Sequence, residues 1–149
     1  MISRNLRVAL IEDNVAWADK YANLEQLSRN IQNISDGTDV VVLPELFTTG
    51  FIVDDQAAVL AERNTGETIR YLKDLSRYHN VAIAGSFLAS TASQLYNRAF
   101  FLEPNDDEVF YDKRHLFTMS GEHKVYNQGV TQAPIIRFRG MNIKLIVCY

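Results

Sequence analysis

The run Val40-Val41-Val42-Leu43-Pro44-Glu45 decides how the chain reads. An unbroken apolar, β-branched stretch predicts a central strand covered on both faces, because a strand with one wet face would alternate. Pro44 has no N–H to give a neighbouring strand, so pairing ends there and Glu45 stands at or just beyond the carboxyl end. In α/β sheets that end is where ligands and reacting groups collect. A carboxylate coupled so closely to a buried strand costs free energy unless it is paired or used. Glu45 therefore reads either as a strand-end charge turned to solvent or as a general base facing a crevice.

Outward from this strand, short apolar runs alternate with helical patterns. Leu6 to Ile11 predicts a buried strand closed by Glu12-Asp13-Asn14. Trp17, Tyr21, Leu24, Leu27, Ile31 and Ile34 recur at helical spacing among polar residues, predicting an amphipathic helix with Trp17 in the core and Gly37 past its end. A short helical patch covers Gln56 to Glu62. From Thr65 as N-cap, Ile69, Leu72, Leu75 and Tyr78 mark a second amphipathic helix, and Val81 to Phe87 the next buried strand. The rhythm then changes. Tyr96 to Leu102, Glu108 to Lys113, Pro134 to Phe138 and Asn142 to Tyr149 read as consecutive strands, with turn chemistry at Pro104-Asn105-Asp106-Asp107 and Arg139-Gly140. Between Leu116 and Ala133 lies a polar loop of a length that is usually functional or mobile. Helix-separated strands followed by consecutive ones predict an α/β layered fold with a mixed sheet.

Composition narrows the function classes. At 149 residues, 47% hydrophobic and 22% charged, the chain has the balance of a globular protein, and composition by itself suggests one domain. Fifteen basic against eighteen acidic residues give a net charge of -3 with no basic stripe, which argues against nucleic acid as a partner. The longest apolar runs are about five residues where a membrane helix needs ~20, and no signal-peptide core is present. A reducing cytoplasm is the default expectation. The single cysteine excludes an internal disulfide.

That cysteine, Cys148, ends an apolar run and reads either as an inert core residue or as a nucleophile at a strand end. A thiol with an ordinary pKa of about 8.5 needs a neighbouring cation or base to become a thiolate. Tyr111-Asp112-Lys113-Arg114-His115 places charge directly after another strand, either as a solvated basic turn or with Lys113 as a fixed positive charge for an oxyanion. His79, His115 and His123 stand at no spacing that supports a Cys–His dyad or a zinc site, and no glycine-rich phosphate loop exists. Gly50, in Phe47-Thr48-Thr49-Gly50-Phe51, fits a pocket-lining loop.

Taken together, Val-Val-Leu-Pro-Glu45-Leu-Phe, Tyr-Asp-Lys113-Arg-His-Leu-Phe and Ile-Val-Cys148-Tyr resemble the three signature segments of the nitrilase (carbon–nitrogen hydrolase) superfamily, in that family's order. The resemblance implies a four-layer αββα sandwich with mixed sheets and a catalytic triad of Glu45, Lys113 and Cys148. A second glutamate that supports the site in the family matches Glu122, in Gly121-Glu122-His123. It implies further that the Cys148 thiolate attacks an amide carbonyl, that Glu45 moves the protons, and that Lys113 with the backbone N–H of Tyr149 holds the oxyanion. No metal or organic cofactor is required. Leu-Phe-Thr-Thr-Gly-Phe and Asp-Lys-Arg-His-Leu-Phe are most similar to the ω-amidase branch, which acts on the terminal amide of α-keto acids such as 2-oxoglutaramate. A keto-acid carboxylate wants a cationic or hydroxyl partner, and Arg114, His115, Thr48 and Tyr126 are the candidates.

The resemblance also changes the meaning of the length. Family members continue beyond Cys-Tyr for about as much chain again, so residues 1–149 are expected to be the N-terminal part of a single hydrolase domain whose remainder is absent. By family analogy, copies associate into a homo-oligomer. Two other readings stand beside the thiol amidase: a catalytically silent half-domain, and an unrelated α/β binding module with an inert core cysteine.

Overall fold

A computed structural model describes residues 5–147. Its centre is a five-stranded mixed sheet in the order β1 (Val8–Leu10), β2 (Val40–Val42), β3 (Ala82–Thr91), β4 (Gln94–Leu102), β5 (Glu108–Asp112). β1, β2 and β3 run parallel, joined by helical crossovers, whereas β3, β4 and β5 are antiparallel neighbours joined by tight turns. The switch from parallel to antiparallel falls where helix-spaced apolar residues give way to consecutive strands. A mixed α/β fold is what the pattern predicted.

Alternation along each strand assigns its two faces. One face carries Val41, Ile83, Phe87, Phe100 and Leu102, which pack against Leu24, Leu27 and Ile31 of α1 (Lys20–Ile31) and Ile69 and Leu72 of α3 (Glu67–His79). The opposite face carries Val40, Ala82, Ala84 and Phe101, covered by Ile136 and Phe138 from an antiparallel hairpin of β6 (Ile135–Phe138) and β7 (Met141–Lys144). Arg139 and Gly140 both have positive φ, the geometry of a two-residue hairpin turn that follows strand twist. Asp39, at the foot of β2, accepts the Arg7 amide at 2.9 Å and pairs with Arg139, tying this hairpin to the sheet.

Several sequence expectations need correction. β1 is shorter than expected and is an edge strand, with Leu10 75% exposed, so it is not buried. Trp17 is 58% exposed and precedes the helix, which starts at Lys20 under the cap of Asp19. Its ring fills the space a side chain would need at Gly50, whose φ of +75° already favours glycine. Thr65 does not cap α3. Gly66 holds that position, and Glu62 supplies the missing acceptor, taking the Thr68 amide at 3.1 Å and its hydroxyl at 2.7 Å. Tyr78 is exposed because Ser76, about two turns on from Ile69, takes the inward position and donates to the Val81 carbonyl. The expected helical patch forms α2 (Gln56–Leu60). The last strand ends at Lys144 instead of running to Tyr149, because its partner β6 begins at Ile135, opposite Lys144.

The connection leaving β2 sets up the site. Leu46 adopts φ +50°, unusual for a branched side chain, and its N–H donates to Ser86 Oγ at 2.9 Å. The Phe47 N–H donates to the Ser86 carbonyl at 3.2 Å, and the Thr49 and Gly50 amides both return to the Leu46 carbonyl. Ser86, buried in mid-β3, therefore clamps the sharp turn that follows Glu45. Ser86→Ala strands the buried Leu46 N–H, and urea unfolding should show a loss of about 1–3 kcal/mol. Ser35→Ala, at an exposed site with its side chain in no hydrogen bond among the described residues, should change little.

Candidate active site

Three strand-end and loop segments deliver charged groups to one place. Glu45 follows Pro44 at the carboxyl end of β2. Lys113 follows β5; its N–H donates to the Asn97 carbonyl and its own carbonyl accepts from Gly129, each at 2.9 Å. Gly129 is the residue this clamp requires, since a Cβ there would lie 2.1 Å from the Asp112 carbonyl oxygen. Arg98 holds the Asp112 carboxylate through two bonds of 2.6 and 2.9 Å, fixing the strand end from the other side. Glu122 opens a short 3-10 turn (Glu122–Lys124) inside the long polar loop, behind Gly121 at φ +85°.

The Lys113 ammonium sits between two carboxylates, 2.9 Å from Glu45 Oε1 and 3.1 and 3.0 Å from Glu122 Oε1 and Oε2. Its side chain is 1% exposed and that of Glu122 0%, whereas Glu45 is 39% exposed. The two acids thus differ in kind. Glu122 is sealed, and its Oε2 also accepts the Phe117 amide at 2.5 Å. Glu45 has Oε1 engaged and its other oxygen with no protein donor among the described residues. Burial works to lower the Lys113 pKa, but hydrogen bonds and charge from Glu45 and Glu122 outweigh it, and the net shift is upward from 10.5. Tyr126, buried, with its hydroxyl unpartnered among the described residues, is shifted upward by burial and then by the charges of Glu122, Glu45 and Asp54. Its phenol stays protonated.

A cleft of about 140 Å³ opens beside Glu45, floored by Ala84, Gly85 and Ser86 of β3 and Ala99 of β4 and bordered by Leu145, Ile146 and Val147. The segment leading to Cys148 therefore borders the same cleft as Glu45. Cys148 itself and Tyr149 lie outside the described residues. Of the other candidates, Tyr126 is close enough to feel both carboxylates. Arg114 buries its Nε without a partner among the described residues. Thr48 is buried in the turn after Glu45, where its carbonyl accepts from Asn23 at 2.8 Å, and His115 is exposed; none of these four candidates is among the residues lining the cleft. Among the described residues no three His, Cys, Asp or Glu side chains group as metal ligands, and no helix is long and apolar enough to cross a membrane.

Two site residues escaped the sequence reading. Asn97, fully buried in β4, donates from Nδ2 to Glu45 Oε1 at 2.6 Å and to Glu122 Oε1 at 3.5 Å. Ser86 clamps the turn described above. Ser86 is a polar side chain in the apolar stretch of β3, and Asn97 lies just before the apolar half of β4; a polar group carried into such a stretch needs a partner, and that was the available signal.

Comparison with known proteins places this geometry in a family. The carbon-nitrogen hydrolase family model matches residues 7–149, and the chain belongs to that family. It is 38% identical to the omega-amidase YafV of Escherichia coli (strain K12) over 144 residues, covering 97% of this chain and 54% of that protein. It is 26% identical to the 2-oxoglutaramate amidase of Bacillus subtilis (strain 168), covering 95% of this chain and 55% of that one. Among solved structures, XC1258 from Xanthomonas campestris, a CN-hydrolase superfamily protein with an arsenic adduct in its active site, superposes with a TM-score of 0.90 at 30% identity, covering 98% of this chain and 54% of that chain. The chain spans about half the length of the curated relatives it matches.

Two outcomes test the charge arrangement. Glu122→Ala removes one partner of a fully buried ammonium and should cost about 3–5 kcal/mol in urea unfolding. A raised folded-state lysine contributes stability that is complete below 10.5 and lost as pH climbs through the folded value. Stability should therefore fall more steeply above pH 10.5 in the wild type than in Lys113→Arg, whose guanidinium does not titrate there.

Proposed function

We propose that the protein is a thiol amidase that hydrolyses the terminal amide of small carboxamides, ω-amides of α-keto acids such as 2-oxoglutaramate, to the acid and ammonia. The observation that carries this reading is a buried ammonium held between two carboxylates of which only Glu45 opens to the cleft. One group is then a fixed positive charge, one a sealed counter-charge, and one free to exchange protons.

In the proposed reaction Glu45 takes the Cys148 thiol proton, and the sulfur attacks the amide carbonyl carbon. The Lys113 ammonium and the Tyr149 N–H hold the oxyanion that forms. As the tetrahedral intermediate collapses, the carbon–nitrogen bond breaks and protonated Glu45 gives its proton to the departing amine, leaving a thioester on Cys148 and free ammonia. Glu45 then removes a proton from water as its oxygen attacks the thioester carbonyl. The carbon–sulfur bond breaks, the acid leaves, and the proton returns to sulfur. Glu122 is not the base, because its oxygens are committed to Lys113 and the Phe117 amide. The names of the relatives, an omega-amidase and a 2-oxoglutaramate amidase, favour an α-keto acid amide.

The test is ammonia release from 2-oxoglutaramate by the full-length gene product, with Cys148→Ala as control. Release should fall to background in the variant, and iodoacetamide should alkylate Cys148 faster in the native than in the urea-unfolded protein. Equal release by Cys148→Ala, or protection of the native thiol, would overturn the mechanism. Activity on other amides but not on 2-oxoglutaramate would overturn the substrate alone.

A further inference from the structure

The proposed reaction uses Glu45 as the base, and Asn97 bears on which of its two oxygens is free to act. Its amide nitrogen lies 2.6 Å from Glu45 Oε1, the same oxygen that receives Lys113 Nζ at 2.9 Å. Two donors converge on one oxygen, and the other is left to the cleft. The same nitrogen reaches Glu122 Oε1 at 3.5 Å, so a single amide spans both acids.

Stability gives no reason for this arrangement. Asn97 is wholly buried, and its Oδ1 has no hydrogen-bond partner among the described residues. A buried orphan acceptor is unfavourable, and turning the amide over would only set Oδ1 against two carboxylates. The orientation is therefore imposed by the carboxylates at the expense of the amide's own acceptor. Asn97 is also tied to the lysine through the backbone, because its carbonyl accepts the Lys113 N–H. Side chain and main chain of one residue thus set the relative positions of base and ammonium.

We propose that Asn97 is a positioning residue that pins Glu45 Oε1 and so selects Oε2 as the atom that moves protons. This rests on the amidase reading for its chemistry, but the geometry it claims is independent of that reading. The charged and titratable groups around Glu45 are Lys113, which shares Oε1, Glu122, and the Tyr126 phenol, which makes no hydrogen bond to Glu45.

Asn97→Leu keeps the approximate shape and removes the donor. In the full-length protein kcat on 2-oxoglutaramate should fall about tenfold to a hundredfold, with KM within about threefold, as expected of a misaligned base. A crystal structure of the variant should show the Glu45 carboxylate turned away from Lys113 Nζ. Asn97→Ala, smaller and without a donor, carries the same test if the leucine variant does not fold. Unchanged kcat, with only a lower melting temperature, would overturn the positioning role and leave the amidase reading standing. If the wild type hydrolyses no amide, that reading falls, and the crystal structure alone decides: a displaced Glu45 upholds Asn97, an undisturbed one overturns it.

Discussion

A lysine ammonium with 1% exposure is tolerable only with charge compensation, and much of the site's architecture follows from that constraint. Lys113 is delivered by the end of β5, so its partners must come from elsewhere in the chain. Glu45 arrives on the end of β2, three strands away from β5, and Glu122 from a loop with no regular period. The surrounding polar contacts serve the same end. Gly129 and Asn97 grip the Lys113 backbone, Arg98 steadies the preceding aspartate, and Ser86 holds the turn behind Glu45. Polar side chains that would be liabilities in an apolar sheet are the means by which three distant segments share one charge.

The sheet explains why these segments can meet. Parallel strands carry their carboxyl ends to the same side, and the antiparallel β4–β5 pair folds Lys113 back toward that side. Helices cover one face and the β6–β7 hairpin the other, so the cleft forms at the margin between sheet and hairpin, where Leu145 to Val147 leave the strand.

Much of this was legible in the sequence. Val40 to Glu45 announces a central strand with a carboxylate at its end because β-branching, the apolar run and the proline all point one way. Glu45 and Lys113 could be singled out because charge directly after a buried strand departs from pattern, whereas Glu122, in a loop with no period, was reached only through the family resemblance. Burial on the periphery was less legible. Trp17 and Tyr78 stand at helical spacing, yet spacing alone cannot say where a helix begins or which of two neighbouring turns faces inward. β1 reads as buried because Val and Leu favour cores, but an edge position is a property of the whole sheet. Asn97 was passed over because its meaning lies in residues 52 and 25 positions away.

The unequal sealing of the two carboxylates has a consequence for the surrounding solution. Mobile ions screen charges they can approach, over about 8–10 Å at ordinary ionic strength, and reach buried pairs far less. The Lys113–Glu122 pair is closed to them, whereas Glu45 faces water. Added salt therefore acts on this cluster through the one carboxylate that also meets the cleft, and leaves the charge beneath it unscreened.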